Sequence, residues 1–170
     1  ASVDKQGKVV IWDLRTQLIL KTFNPSVKPT RIEFRSNDEL VCYSDYSGTR
    51  IYNIESGELT HANELDRATL LDKNTLVGIR NNMGKRDQFI VLDIVSNAIV
   101  NKSEIAEISN MTRFIPNPRK GVYLVFDLNG SVYKSDNSGK KWEKCKELEG
   151  IFYVAHSVTK DGKHLALASR

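Results

Sequence analysis

One segment recurs along this chain at a fixed spacing. Val10-Ile11-Trp12-Asp13-Leu14-Arg15, Arg50-Ile51-Tyr52-Asn53-Ile54-Glu55 and Ile90-Val91-Leu92-Asp93-Ile94-Val95 place an Asp or Asn at positions 13, 53 and 93, a period of 40. A fourth version, Ser131-Val132-Tyr133-Lys134, puts its Lys 41 positions after Asp93. A supersecondary unit of that size cannot bury its own apolar face, so copies must stack on one another. Each segment is apolar, then turns polar at Thr16-Gln17, Ser56-Gly57, Ser96-Asn97 and Asn137-Ser138-Gly139. That is the pattern of a strand entering a tight turn, where Gly and Asn tolerate positive φ.

A second repeat lies just upstream: Asp4-x-x-Gly7, Asp45-x-x-Gly48, Asn81-x-x-Gly84 and Asp127-x-x-Gly130. An Asx side chain capping a turn that ends in Gly predicts a short hairpin loop at each site. Before these loops come apolar runs at Leu40–Tyr43, Leu76–Ile79 and Val122–Phe126, with another at Leu165–Ala168. Further upstream lie Thr30–Phe34, Ala68–Leu71, Met111–Ile115 and Phe152–Val154. Outermost in each unit are Leu18–Phe23, Leu59–His61, Ala98–Lys102 and Trp142–Cys145. We letter the strands of a unit a, b, c and d in chain order. Helical periodicity is nearly absent; its best case is Lys102–Ile108, where one turn of helix could sit in a loop. Four short antiparallel strands per repeat predict an all-β fold, a β-propeller with about four blades' worth of sheets. The expected units are a partial blade at 1–26, blades at 27–67, 68–109 and 110–149, and a partial blade at 150–170.

Gly7-Lys-Val-Val-Ile-Trp-Asp-Leu-Arg-Thr16 resembles the WD-repeat signature, and Gly48-Thr-Arg-Ile-Tyr-Asn-Ile-Glu-Ser-Gly57 looks like a degenerate copy. Val154 to Ser169 is similar to the a–b half of such a repeat. The Trp-Asp dipeptide occurs once and the Gly-His pair is absent. Ser135-Asp-Asn-Ser-Gly-Lys-Lys-Trp142 resembles the Asp box of sialidase- and sortilin-type propellers, with Asn137 where the Asp belongs. In those families the motif is a structural hairpin.

The sequence opens near the end of a b strand and closes where another b strand should turn. A segment of a larger, six- to eight-bladed propeller is the first expectation. A self-closed four-bladed ring and a swapped dimer are the alternatives.

Chemistry is sparse. Cys42 and Cys145 lack the paired spacing of a zinc site and read as small core residues. His61, His156 and His164 form no ligand pattern, and no phosphate-binding glycine loop is present. Neither catalysis nor a cofactor or metal is expected. With 25 Lys+Arg against 21 Asp+Glu, the net charge of +4 is too mild for a dedicated nucleic-acid binder. Lys134, Lys140, Lys141, Lys144 and Lys146 cluster, but on an outer strand, where lysines discourage edge pairing. No apolar run approaches the roughly 18 residues of a membrane helix. Asn101, Asn110 and Asn129 fit the glycosylation pattern, whereas free thiols favour a reducing, intracellular setting.

The WD-repeat resemblance implies a non-catalytic scaffold in a multi-subunit assembly, receiving protein partners on the face built by the b–c and d–a loops. The candidate partner-binding residues are Lys5, Gln6, Tyr46, Asn82, Met83, Lys85, Arg86 and Asn129. The alternatives are a secreted Asp-box propeller (a glycosidase or sorting receptor) and an RNA-associated assembly factor.

Overall fold

In a computed structural model of the chain, every regular element among the described residues is a β-strand. The structure describes residues 1–45, 47–80, 87–105, 111–117, 122–127, 130–136, 139–145, 153–159 and 163–169, with the strand residues 111–117, 122–123, 127, 153–158 and 169 described by backbone alone. The chain divides into two units, Ala1–Ala68 and Thr69–Arg170.

In the first unit, β1 (Ser2–Val3), β2 (Val9–Trp12) and β3 (Ile19–Phe23) form a three-stranded sheet. Beside it, β4 (Arg31–Phe34), β5 (Glu39–Tyr43), β6 (Thr49–Asn53) and β7 (Leu59–Asn63) form a four-stranded antiparallel meander. Val9 and Ile11 of the first sheet pack with Leu40, Cys42 and Tyr52 of the second, and Phe23 and Ile32 close the cluster. Tyr52 adds polar stitching: its ring meets Phe23 at 5.4 Å between centroids, and its hydroxyl accepts the Ser26 amide at 2.8 Å.

β8 (Asp66–Asp72) starts at the unit boundary and forms the next meander with β9 (Thr75–Arg80), β10 (Gln88–Asp93) and β11 (Ala98–Glu104). The second unit continues with β12 (Met111–Asn117), β13 (Val122–Asp127), β14 (Val132–Ser135) and β15 (Trp142–Lys144), then the hairpin β16 (Tyr153–Val158) and β17 (Leu165–Ser169). Val77, Ile79, Phe89, Val91 and Ile105 pack against Val125 and Trp142 of the following sheet. Phe126, Val132 and Cys145 meet Leu165 and Leu167 in turn. Strands β9 and β10 are buried along their length, while the outer strands β3, β7 and β11 alternate between half-buried and exposed. Burying Val, Ile and Leu side chains between stacked sheets supplies the main stabilisation, about 1.5–3 kcal/mol for each fully buried one.

The predicted strands appear in their expected order, with ends shifted by a few residues. The one segment with helical spacing, Lys102–Ile108, begins as strand: Lys102, Ser103 and Glu104 continue β11, opposite Ile90, Phe89 and Gln88. The ladder extends to Ile105, whose amide bonds the Asp87 carbonyl at 3.0 Å and whose side chain is buried. A lone helical turn has an unfavourable nucleus and could offer nothing comparable. Residues 106–110 lie outside the described ones.

Three c–d hairpins share a detail that hydropathy does not reveal. Register slips between Ile11 and Trp12, Ile51 and Tyr52, and Val91 and Leu92, so Leu20, Thr60 and Val100 are the extra residues of three β-bulges at the same 40-residue spacing. The turns beyond them are also equivalent. Gln17, Gly57 and Asn97 occupy the left-handed region at φ 59°, 77° and 53°.

Candidate interaction face

In an antiparallel a-b-c-d meander, the b–c turn and the end of strand d share one edge of the sheet. In the first unit that edge is built by the β1–β2 turn, the β3–β4 connection, the β5–β6 turn and the β7–β8 connection. The β1–β2 turn is held from within. The Asp4 amide bonds the Lys8 carbonyl at 3.0 Å, and Asp4 Oδ1 accepts the amides of Gln6 at 2.8 Å and Lys8 at 2.9 Å. Gly7 sits at φ 92°, buried. Lys5 and Gln6 form the exposed tip.

The β5–β6 turn corrects one expectation. Closure runs from the Ser44 amide to the Gly48 carbonyl at 3.1 Å, the counterpart of Asp4 to Lys8. The capping position is therefore Ser44, and its hydroxyl accepts the Ser47 amide at 3.2 Å. Asp45, expected to cap, stands one residue inside the turn and accepts the Thr30 hydroxyl at 3.4 Å. Gly48, at φ 73°, lies so close to the Asn63 carbonyl that a Cβ there would collide with it. Its amide bonds Asp66 Oδ1 at 3.3 Å, buried Thr49 donates to the Leu65 carbonyl at 3.1 Å, and the Arg50 guanidinium reaches the Asn63 carbonyl at 2.9 Å. The b–c turn and the d–a connection are thus stapled together, and Arg67 follows at a positive φ of 48°.

Beside this edge, the Arg31 guanidinium lies 4.1 Å above the Tyr43 ring, and the Tyr43 hydroxyl donates to Glu33 at 2.8 Å. These contacts link Arg31, Tyr43 and Glu33 into one polar cluster on β4 and β5.

Of the eight sequence-derived candidates, the structure describes Lys5 and Gln6, both exposed on the capped turn. Tyr46, Asn82, Met83, Lys85, Arg86 and Asn129 lie outside the described residues. Sequence reading missed Lys28, which lies on the β3–β4 connection against Gly7: a Cβ on Gly7 would stand 3.3 Å from Lys28 Cα. Twenty-one positions separate the two in sequence, so no local motif signals the pairing.

Other candidates resolve into structural roles. Cys42 and Cys145 are buried and not joined in a disulfide, and burial pushes the Cys42 thiol up to about 12. No group of three His, Cys, Asp or Glu residues among the described ones suits a metal ion. His61 lies beside the Thr60 hydroxyl at 3.2 Å and His164 is exposed. Within the lysine-rich outer hairpin, Lys134 faces Glu143 at 3.8 Å, both well exposed. The Asp-box-like turn is a fastening: the Gly139 carbonyl accepts the Trp142 indole N–H at 2.9 Å and also the Ser103 hydroxyl. Among the described residues no helix is long and apolar enough to cross a membrane.

No protein-family model matches the chain, and no curated protein matches it in sequence. Solved structures do resemble it. Hydrazine synthase of Kuenenia stuttgartiensis superposes with a TM-score of 0.72 at 16% identity, over 96% of this chain and 56% of that one. The Pan2 WD40 domain of Neurospora crassa gives 0.70 at 12% identity, over 96% of this chain and 54% of that one. A chain of the mitotic checkpoint complex gives 0.72 at 16% identity, over 97% of this chain and 56% of that one. The chain spans just over half the length of each of these three structures. At such identities the likeness concerns the fold alone. On the strand order, the 40-residue repeat and these superpositions, the chain has the fold of a WD-repeat-like β-propeller.

Proposed function

We propose that the chain is a non-catalytic scaffold of the WD-repeat type, presenting its b–c and d–a loops to protein partners in a multi-subunit assembly inside the cell, cytoplasmic or nuclear. The observation that carries this reading is the rigidity of the loop edge in the first unit. Asp4 and Ser44 cap their turns, and Gly48, Thr49 and Arg50 tie one turn to the next connection. Loops held this way bind with little ordering cost, because their backbone is already in place. Membership of a similar chain in the mitotic checkpoint complex supports protein partners in general. Hydrazine synthase is similar in fold, so the fold itself does not decide between scaffold and enzyme, and the non-catalytic part of this reading is a proposal. Lys5, Gln6, Tyr46, Asn82, Met83, Lys85, Arg86 and Asn129 are the proposed contacts, and neither cofactor nor metal is invoked.

Photo-cross-linking tests this directly. A benzophenone side chain replaces Gln6 in one variant and Arg15, exposed in the c–d turn at the opposite edge of the same sheet, in another. A discrete adduct from position 6 and none from position 15 is expected in extracts of the native host. Adducts from neither position, or only from position 15, overturn the reading.

A further inference from the structure

We infer that the β1–β2 turn, with Lys28 beside it, is a docking point for an acidic segment of a partner protein. The inference rests on the scaffold reading and adds the chemistry of the partner. Lys5, Lys8 and Lys28 are all exposed. Among the described residues, none of the three ammonium groups takes part in an ion pair. Lys21, Arg31 and Arg35 of the same unit are engaged. Lys21 donates to the Glu55 carbonyl at 2.8 Å, Arg35 pairs with Glu39 at 2.6 Å, and Arg31 lies on Tyr43. The acid nearest in sequence, Asp4, directs Oδ1 at two backbone amides of its own turn. It stays anionic while fixing the loop that carries Lys5 and Lys8, and it is the one acid among residues 4–8 and 24–30, against three lysines.

Lys28 is fixed as well. Val27 and Pro29, on either side of it, are buried, and the Gly7 backbone approaches so closely that a Cβ would stand 3.3 Å from Lys28 Cα and Cγ. Three exposed lysines therefore share one anchored patch that joins two segments remote in sequence. Three like charges against one carboxylate leave an excess of positive charge, and an acidic segment offsets it while the hydrated ammonium groups remain at the rim of the contact. A peptide fits better than a nucleic acid. The turn and the Asn24–Thr30 connection carry no aromatic side chain on which a base could stack.

The test titrates fluorescein-labelled decaglutamate into the full chain and reads anisotropy at low and high salt, about 50 and 300 mM. Against wild type, the triple variant Lys5→Glu, Lys8→Glu, Lys28→Glu is compared with a charge-matched control, Lys73→Glu, Lys140→Glu, Lys141→Glu. Both sets are exposed, and melting temperatures verify that each variant folds. Salt-sensitive binding, weakened about tenfold or more by the first triple and less than about twofold by the control, is the expected result. Equal weakening by both variants, or binding indifferent to salt, overturns the inference. So does a polyuridylate oligomer that binds wild type, excludes the peptide and is lost in the first triple, since the patch would then serve nucleic acid. The position-6 cross-link separates the two readings. If the first triple retains the adduct at wild-type yield, the scaffold stands and the acidic docking point falls; if wild type forms no adduct, the scaffold falls while the titration still decides the patch.

Discussion

Gly139→Ala tests whether the turn after β14 is locked onto the neighbouring sheet. Gly139 has φ 60°, where a residue with a Cβ costs about 1–2 kcal/mol. Its new methyl would also overlap Cδ1 and Cε1 of Phe89. The ring has nowhere to go, since Phe89 is fully buried among Val77, Ile79, Val91, Ile105 and Val125 and meets Trp142 edge-on, 5.8 Å between centroids. Overpacking of that kind adds about 1–3 kcal/mol. The expected cost is the sum of the two effects, about 2–5 kcal/mol, or roughly 4–20 °C in melting temperature for a protein of this size. Phe89→Leu removes the ring edge and relieves the overlap. In that background Gly139→Ala should cost only its backbone strain, a coupling of about 1–3 kcal/mol between the two positions. Urea unfolding of the four proteins, followed through the combined fluorescence of Trp12 and Trp142, measures the cycle. If the single costs add to within about 0.5 kcal/mol, the ring and the turn do not act on each other and the lock is refuted.

Other outcomes follow from single contacts. Tyr52→Phe strands the Ser26 amide and hydroxyl, bonded at 2.8 and 2.9 Å, and should cost about 1–2 kcal/mol in urea titration; an unchanged midpoint would show that water satisfies Ser26 equally well. Asp13 is held below its usual carboxylate range by the amides of Thr16 and Arg15, so its contribution to stability is present above the unfolded value near 3.8 and is lost as pH falls through the lower folded value. Asp13→Asn should keep the cap, as Asn53 does at the equivalent turn, and remove that acid limb from the stability profile; an unaltered profile would assign the limb elsewhere. With Cys42 and Cys145 buried and the Cys42 thiol raised to about 12, a disulfide reagent at pH 8 should titrate neither thiol until denaturant is added. Rapid native labelling would contradict the packing of both.

The strands and turns were legible because their signals are local and repeated. Asp13, Asn53 and Asp93 each cap the same turn, accepting the amides of Thr16, Ser56 and Ser96 at 3.1, 2.8 and 2.7 Å, and their spacing is plain in the chain. The candidate interaction face was legible only as a class of loop. Lys5 and Gln6 lie on a described turn, whereas the Asn82–Arg86 candidates fall outside the described residues. The misplaced cap shows why details slip. Asp45 and Ser44 are equally good capping types, and the choice between them depends on which amide closes the β5–β6 ladder.

The sequence alone determined that this chain folds as stacked four-stranded β units, because apolar alternation, turn chemistry and a 40-residue period are properties of neighbouring residues. Only the tertiary structure decided that Lys28 stands beside Gly7, that Gly139 lies flat against Phe89, and that Lys102–Glu104 extend a strand. Those outcomes depend on contacts between segments distant in the chain, where the energy of close packing and of completing a ladder outweighs any local preference.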